Sequence, residues 1–430
     1  MPAQKNLDKI TSDLLKPIRF NLSFKIWMGF LTISLLVCFY AYSLQLRNGL
    51  GVAGIRDYAS WGIYISNFVF FVACSLIGML ISAVLGLLGI TWAAPIARIA
   101  EIIALAFASV AGLVIITDMG RPERLLNVFF YARIQSPITW DVTVVITYVA
   151  ISTLLLYLPL IPDIKICYEK LDKISKFQRA IYKILSLGWS GTPEQVKLVS
   201  KSIRILMILI IPVALGIHTV TSWLFASTTR PGWDSTLFGP YFVTGAFVCG
   251  CASVIIAMFF FMKNYKLEEY ITDNLFDKMG KLLVLVSLVY LYFNINEFLV
   301  PAYKLKKFDA IHLREIFSGA YALMFWSAQI LGLVLPIIIL LFKKARKPYP
   351  MLIIALFVLT GAWLKRVIIV VPSQLHPYLP IQNVPEYFKF YTPTVIESAI
   401  TVGSFIIVLM IITVLAKIFP IIPISDPMHK

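Results

Sequence analysis

The sequence predicts an all-α, polytopic transmembrane protein of about ten helices, grouped as two four-helix bundles plus two peripheral helices. Three observations carry this. The 430 residues are 59% hydrophobic and 14% charged, against about half and about a quarter in a soluble domain. The apolar residues gather into runs long enough (about 18 residues or more) to cross a bilayer as helices. The Lys and Arg residues sit between these runs and favour one side.

The elements follow in order. Residues 1–20 are polar, with Lys5, Lys9, Lys16 and Arg19, and read as a short tail that is not translocated rather than a signal peptide. Spans are expected near 24–45, 61–88, 95–117, 138–161, 203–226, 238–262, 281–300, 316–342, 351–371 and 396–419. The connection at 162–202 carries Lys165, Lys170, Lys173, Lys176, Arg179, Lys183, Lys197 and Lys201. Within it, Thr192-Pro193-Glu194-Gln195 offers an N-cap, a proline at the first helical position and a Gln three residues after the cap, so a short surface helix should follow. Lys343, Lys344, Arg346 and Lys347 follow the eighth span. Ten spans put these basic loops, the 263–281 loop and both termini on the cytoplasmic side of the cell membrane. The loops near 118–137, 227–237 and 372–395 fall outside. No long Gly/Ser linker divides the chain, which reads as one membrane domain. It comprises a tail and first span (1–60), a first four-helix group (61–226), a second (238–371) and a last span (396–419). The two groups share only weak similarity, "WGIYISNFVFFVA" against "STLFGPYFVTGAF".

The net charge of +16 would suit nucleic acid, but its distribution between apolar runs argues for a membrane topology instead. Cys38, Cys74, Cys167, Cys249 and Cys251 form no CxxC pair or cluster-binding set, so no iron–sulfur centre is expected in this chain. "CGC" at 249–251 places its thiols two apart on a helix, on different faces, which argues against a metal site. A transmembrane haem needs two facing histidines. His218 alone is mid-span, with His312 and His376 in external segments and His429 in the tail, so no haem is expected.

Charges within spans cost about 2.5–3.5 kcal/mol each on insertion scales, which makes each a functional candidate. Glu101 lies just inside the cytoplasmic start of the third span. Asp118 ends that span externally, and Asp141, after Trp140, begins the fourth at the same boundary. Arg121, Arg124 and Arg133 lie between them. Two acids beside arginines at the wet end of a bundle suit proton acceptance from a ligand oxidised there; they equally suit a solvated helix end pinned by Asp–Arg pairs. Lys365 and Arg366 lie in the outer half of the ninth span, and Glu297 and Glu397, at comparable depth, are candidate partners for an ion pair or a proton path. His218 alone reads as a packed, hydrogen-bonded histidine.

Six blocks then occur in order: "WGIYISNFVFF" (61–71), "DMGRPERLLNVF" (118–129), "SPITWDVTVVITY" (136–148), "SLGWSGTPEQ" (186–195), "IHTVTSWLFA" (217–226) and "PGWDSTLFGPYFVTGAFVCG" (231–250). Together they resemble the polysulfide-reductase/NrfD family of quinone-interacting membrane subunits. The segments "YFNINEFLVPAYKLKK" (292–307) and "GAWLKRVIIVVPSQLHPYLPIQNVPEY" (361–387) look closest to its dissimilatory sulfite-reduction-associated, DsrP-like branch, related to the membrane subunits of alternative complex III. The resemblance implies a menaquinone or menaquinol site at the external face of the first bundle. It also implies an externally docked ferredoxin-like iron–sulfur subunit that exchanges electrons with the quinol, and no redox cofactor in the membrane chain. A multihaem cytochrome c and further membrane or cytoplasmic subunits are candidate partners. By position, Asp118 and Asp141 match the pair flanking the quinol site. His218 matches a family histidine expected to bond or orient the quinone, with Arg121 and Trp140 beside the site and Glu101 on a path inward. Three departures matter. Asp118 stands where relatives often have histidine, Leu76 where some carry another histidine, and Lys365 where alternative complex III relatives have glutamate. The last two weaken the case for proton translocation.

The expected function is therefore menaquinol oxidation near the external face, with electrons passed to the docked subunit and proton movement as a possible coupling. The same site running as a quinone reductase stays open. So do a secondary transporter, for which the matching half-helices are lacking, and a purely structural anchor.

Overall fold

The computed structural model describes residues 14–18, 20–90, 92, 94–171, 175–379 and 381–424. Lys5, Lys9 and Arg19 of the tail, Lys173 and His429 lie outside the described residues. Among the described residues every regular element is helical, and ten helices are long and apolar enough to cross a membrane. The chain is a multi-pass membrane protein. The spans are α1 (Leu22–Asn48), α2 (Ile63–Leu87), α3 (Ala94–Asp118) and α4 (Pro137–Lys170). A surface helix, α5 (Lys176–Leu185), precedes α6 (Pro193–Ala226), α7 (Phe238–Tyr265) and α8 (Asp273–Lys304). After a second surface helix, α9 (Lys307–Phe317), come α10 (Ala322–Leu340), α11 (Pro348–Val370) and α12 (Val395–Ile418).

Four spans differ clearly in length from the sequence expectation. α8 covers Asp273–Lys304 rather than 281–300, and α10 covers Ala322–Leu340 rather than 316–342. The other two are α4 and α6. α4 does not stop near 161 but runs to Lys170 with Pro159 and Pro162 inside it. α6 begins at Pro193, so the helix opened by Thr192 is not a separate surface helix but the first turns of the span. Its Thr192 hydroxyl accepts from Gln195 N at 3.3 Å, as the cap pattern requires. Gln195 Oε1 binds Ser190 N and Gly191 N rather than closing a reciprocal box. No helix-breaking residue separates Glu194 from Leu209, so the helix has nothing to end it. α4 and α6 each have 34 residues, about 51 Å at 1.5 Å per residue. That exceeds a hydrocarbon layer of roughly 30 Å, so both project from the same face as a packed pair.

α2 and α7 lie at the centre. α2 packs on α3, α6, α7, α11 and α12, and α7 on α2, α3, α6, α8 and α11. Both are apolar all round, as a helix with no lipid or water face must be. Glycines permit their close approach: a Cβ on Gly250 of α7 would lie 2.3 Å from Ile77 Cγ2 of α2, and one on Gly78 of α2 would lie 2.1 Å from Ala100 O of α3. α1 sits outermost, against α12, and shows Ile26, Phe30, Ile33, Val37 and Tyr40 to the surroundings. α10 is irregular, with a π-helical stretch at Ser327–Val334 whose Gly332 meets Gly361 of α11; a Cβ on Gly361 would lie 2.4 Å from Gly332 Cα.

One face of the molecule gathers the described chain ends. Lys417 Nζ donates to Pro17 O at 2.7 Å, and Tyr182 of α5 donates to Ile418 O at 2.8 Å. This terminal face lies opposite the one formed by Asp118, the 119–136 connection and the 371–394 segment.

Candidate functional site

At the Asp118 face, helix geometry sets the polar side chains. Asp141 falls in the second turn of α4 and turns inward, at 3% exposure. Its Oδ1 accepts from the Thr221 hydroxyl of α6 at 2.6 Å. His218 lies three residues before Thr221, on the same face of α6, and is also buried, with Nε2 lacking any hydrogen-bond partner. Eight residues separate His218 from the end of α6 at Ala226, which puts the imidazole about 12 Å inside. A buried carboxylate with a hydroxyl partner and an imidazole whose Nε2 lacks a partner thus line one helix junction.

Asp118, in the last turn of α3, has Oδ1 buried and unpartnered. It faces a second junction. Neighbouring Thr117 O accepts from Gln45 Nε2 of α1 at 2.6 Å, and Gln45 Oε1 accepts from Tyr64 of α2 at 2.6 Å. The charge of Glu397 on α12 also acts on Asp118. Asp118 and Asp141 share a face of the molecule, but no hydrogen bond joins them among the described residues, and their neighbours belong to different helices. Of the two readings open for these acids, pinning by arginine is not seen among the described residues. Arg121 and Arg124 are exposed, and neither they nor Arg133 forms an ion pair with either acid. Arg121 and Arg124 belong to a 3-10 turn, Pro122–Arg124 with Arg121 before it, and face outward. Trp140 is partly exposed, donates from Nε1 to Ile134 O and meets Trp223 edge-on at 6.2 Å.

An aromatic cluster that sequence reasoning did not single out stands above His218. Trp61, Phe225 and Trp233 lie 5.1–5.8 Å apart, and Phe225 also meets Phe242 at 5.7 Å. Trp233 is held by its Nε1 bond to Ile369 O at 2.6 Å, and Trp61 by Gln374, which binds both its N–H and its C=O. The signal was available: these residues sit in "WGIY", "WLFA" and "PGWD".

The remaining candidates disperse. Glu101 accepts a short hydrogen bond from the Ser82 hydroxyl near the terminal face. One turn away is a pair the sequence reading passed over: Arg98 of α3, 2% exposed, bridges Asp163 of α4, 0% exposed, at 2.5 Å. Glu397 is not the partner of Lys365 or Arg366. It closes a capping box with Thr394 and also accepts from Gly54 N at 2.8 Å and the Tyr391 hydroxyl at 3.0 Å. Glu297 faces Lys365 but lies beyond 4.0 Å, with Oε2 unpartnered. Lys365 Nζ instead sits over the rings of Phe298 (4.2 Å), Phe325 (5.5 Å) and Tyr241 (5.7 Å). Cys74 and Cys249, from α2 and α7, meet with sulfurs 3.7 Å apart. Among the described residues, no group of three His, Cys, Asp or Glu is placed to hold a metal ion.

The profile of the family "Polysulphide reductase, NrfD" matches residues 51–377, which include the whole of both junctions except Gln45 and Glu397. The chain belongs to the NrfD family. It is similar to a subunit of the selenate reductase of Mesobacillus selenatarsenatis, at 24% identity over 94% of this chain and 96% of the relative. It also resembles the Hdr-like menaquinol oxidoreductase integral membrane subunit of Archaeoglobus fulgidus, at 24% identity over 90% of each chain. A shorter match, 32% identical over 32% of this chain and 33% of the relative, joins it to the menaquinone reductase integral membrane subunit of Nitratidesulfovibrio vulgaris.

Proposed function

We propose that this chain is the quinone-binding subunit of a respiratory oxidoreductase complex, oxidising menaquinol at the Asp118 face. The observation that carries the reading is the α4–α6 junction, where buried Asp141 and Thr221 adjoin His218 with a free ring nitrogen. Oxidation releases two protons and two electrons. Asp141 and Asp118 take the protons, since a carboxylate held within reach of a reacting hydroxyl acts as a general base. His218 bonds a quinol oxygen, and Trp61, Phe225 and Trp233 give the ring an apolar wall. The electrons pass to an iron–sulfur subunit docked on that face. The relatives' names, menaquinol oxidoreductase and menaquinone reductase, support the quinone class. They differ in direction, so the reverse reaction at the same site is the second reading. The site would belong to the first of two four-helix bundles (61–226). Glu101, Glu297, Lys365 and Arg366 are candidates for proton movement toward the other face.

The test is Asp141→Asn and Asp118→Asn in the assembled complex, assayed for quinol-dependent electron transfer. Each should fall by about 10²-fold or more, the usual contribution of a positioned base. Unchanged rates in both would sink the assignment.

A further inference from the structure

Arg366 and Lys365 adjoin a cavity enclosed by α7, α8, α10 and α11 and lined by Gly245, Tyr290, Gln329, Gly332, Lys365 and Arg366. It holds about 20 Å³ for an occupant, space for one water-sized group. The two cations are 1% and 4% exposed. Arginine stays protonated in proteins, and an uncompensated charge in a membrane interior is costly. No carboxylate lies within 4.0 Å of either cation among the described residues. Glu297 acts on Lys365 from farther away, while the groups on which Arg366 acts are His218, Tyr290, Tyr241, Cys74, Cys249 and Lys365, none of them a carboxylate. Arg366 Nε has no hydrogen-bond partner at all. The guanidinium is packed by its face, 5.4 Å over Phe242, and part of its edge meets the Tyr290 hydroxyl, which leaves Nε and the rest of the edge for a ligand. Gly245 keeps that edge open, since a Cβ there would come within 3.0 Å of Arg366 Nη2.

We propose that this cavity binds one small monovalent anion of halide size, held by the Arg366 guanidinium, with Lys365 and the Gln329 Nε2 hydrogen not engaged by Asn294 as further donors. The anion supplies the charge that the protein does not. Its shape requirement comes from the cavity, which admits a single compact ion but not a planar carboxylate with its carbon chain. The π-helical stretch of α10 forms the wall that presents Gln329, and such stretches recur at binding sites.

The experiment uses the full chain in its purified complex. Thermal stability is compared in chloride, bromide and gluconate at equal ionic strength, since a ligand that binds only the folded state raises the melting temperature. Both halides should raise it by a few degrees over gluconate, and Arg366→Gln should remove the difference. If that variant fails to assemble, Gln329→Leu is expected to weaken the halide effect, and the chloride NMR line width is read on the unmodified complex, where binding broadens it. Equal stability in all three salts together with an unbroadened line would leave water as the occupant and overturn the proposal.

Discussion

Glu397 is a buried acid whose neighbours are all accounted for. It receives the N–H groups of Thr394 and Gly54 and the Tyr391 hydroxyl, while Tyr391 in turn accepts from Ile63 N at 2.8 Å. One carboxylate thus ties α12 to the entries of α1–α2. Replacing it with alanine would keep the Thr394 cap but lose the reciprocal half of the capping box and leave buried donors unpaired, a loss of about 1–3 kcal/mol. A fall in melting temperature with Glu397→Ala, larger than with Glu397→Gln, is the expected outcome. His312 makes a pH prediction. Burial, then the positive neighbours His376 and Lys365, lower its pKa from 6.5 to about 4. The unfolded chain therefore takes up this proton near pH 6.5 and the folded chain only near pH 4. Its contribution is full above 6.5 and is lost as the pH falls through that window, on the order of 3 kcal/mol in all. Melting temperature measured from pH 7 to pH 5 should drop less in His312→Gln than in the parent. The sequence placed Glu397 near the right end of its span and His312 in a segment between spans, without the helix that carries it and without the partners of either residue. Depth can be counted along a helix, whereas Glu397 binds a local cap and a loop 343 residues away, and no pattern in the chain joins those.

At the scale of elements, Arg98 and Asp163 clamp α3 to α4. Arg98 Nη2 also reaches Pro159 O at 3.4 Å, where the helix carries two prolines, and Asp163 accepts from Ile424 N at 3.3 Å. The clamp explains how α4 continues past 161. A charge that would be expensive at that depth is neutralised by a partner on the next helix. Arg98→Ala removes the cation paired with the buried Asp163 carboxylate and should cost up to about 3–5 kcal/mol, while the double replacement Arg98→Met with Asp163→Leu should recover most of it. Thermal unfolding of the three proteins in detergent decides this; a double variant no better than Arg98→Ala would show that the pair contributes net attraction. Span number and order were legible because hydropathy averages over many residues. Helix ends were not, because Pro159 and Lys165 read as stops in water yet are accommodated beside Arg98 and the projecting α4–α6 pair. The π-helical stretch of α10 was equally hidden. It depends on the contact between Gly332 and Gly361, residues that carry no signal in their own segments.

For the whole molecule, the decisive question is which face meets the outside, since the direction of proton release follows from it. The ends of the described chain share one face, joined by the Lys417–Pro17 bond, as an even number of spans requires. That face also carries Lys176, Arg179 and Lys183 on α5, the projecting ends of α4 and α6, and Lys343, Lys344, Arg346 and Lys347 between α10 and α11. Basic residues close to span ends are retained on the cytoplasmic side. The Asp118 face would then be external, and protons taken by Asp118 and Asp141 would leave to that side. Exposed single cysteines test this in intact cells. The five native thiols are all buried, so background labelling should be low. Arg121→Cys and Tyr387→Cys, on the Asp118 face, should react with a membrane-impermeant maleimide. Lys176→Cys and Lys344→Cys should react only after the membrane is opened. The reverse pattern would turn the molecule over and move the two acids to the cytoplasmic side, so that quinol oxidation there would release no protons outward.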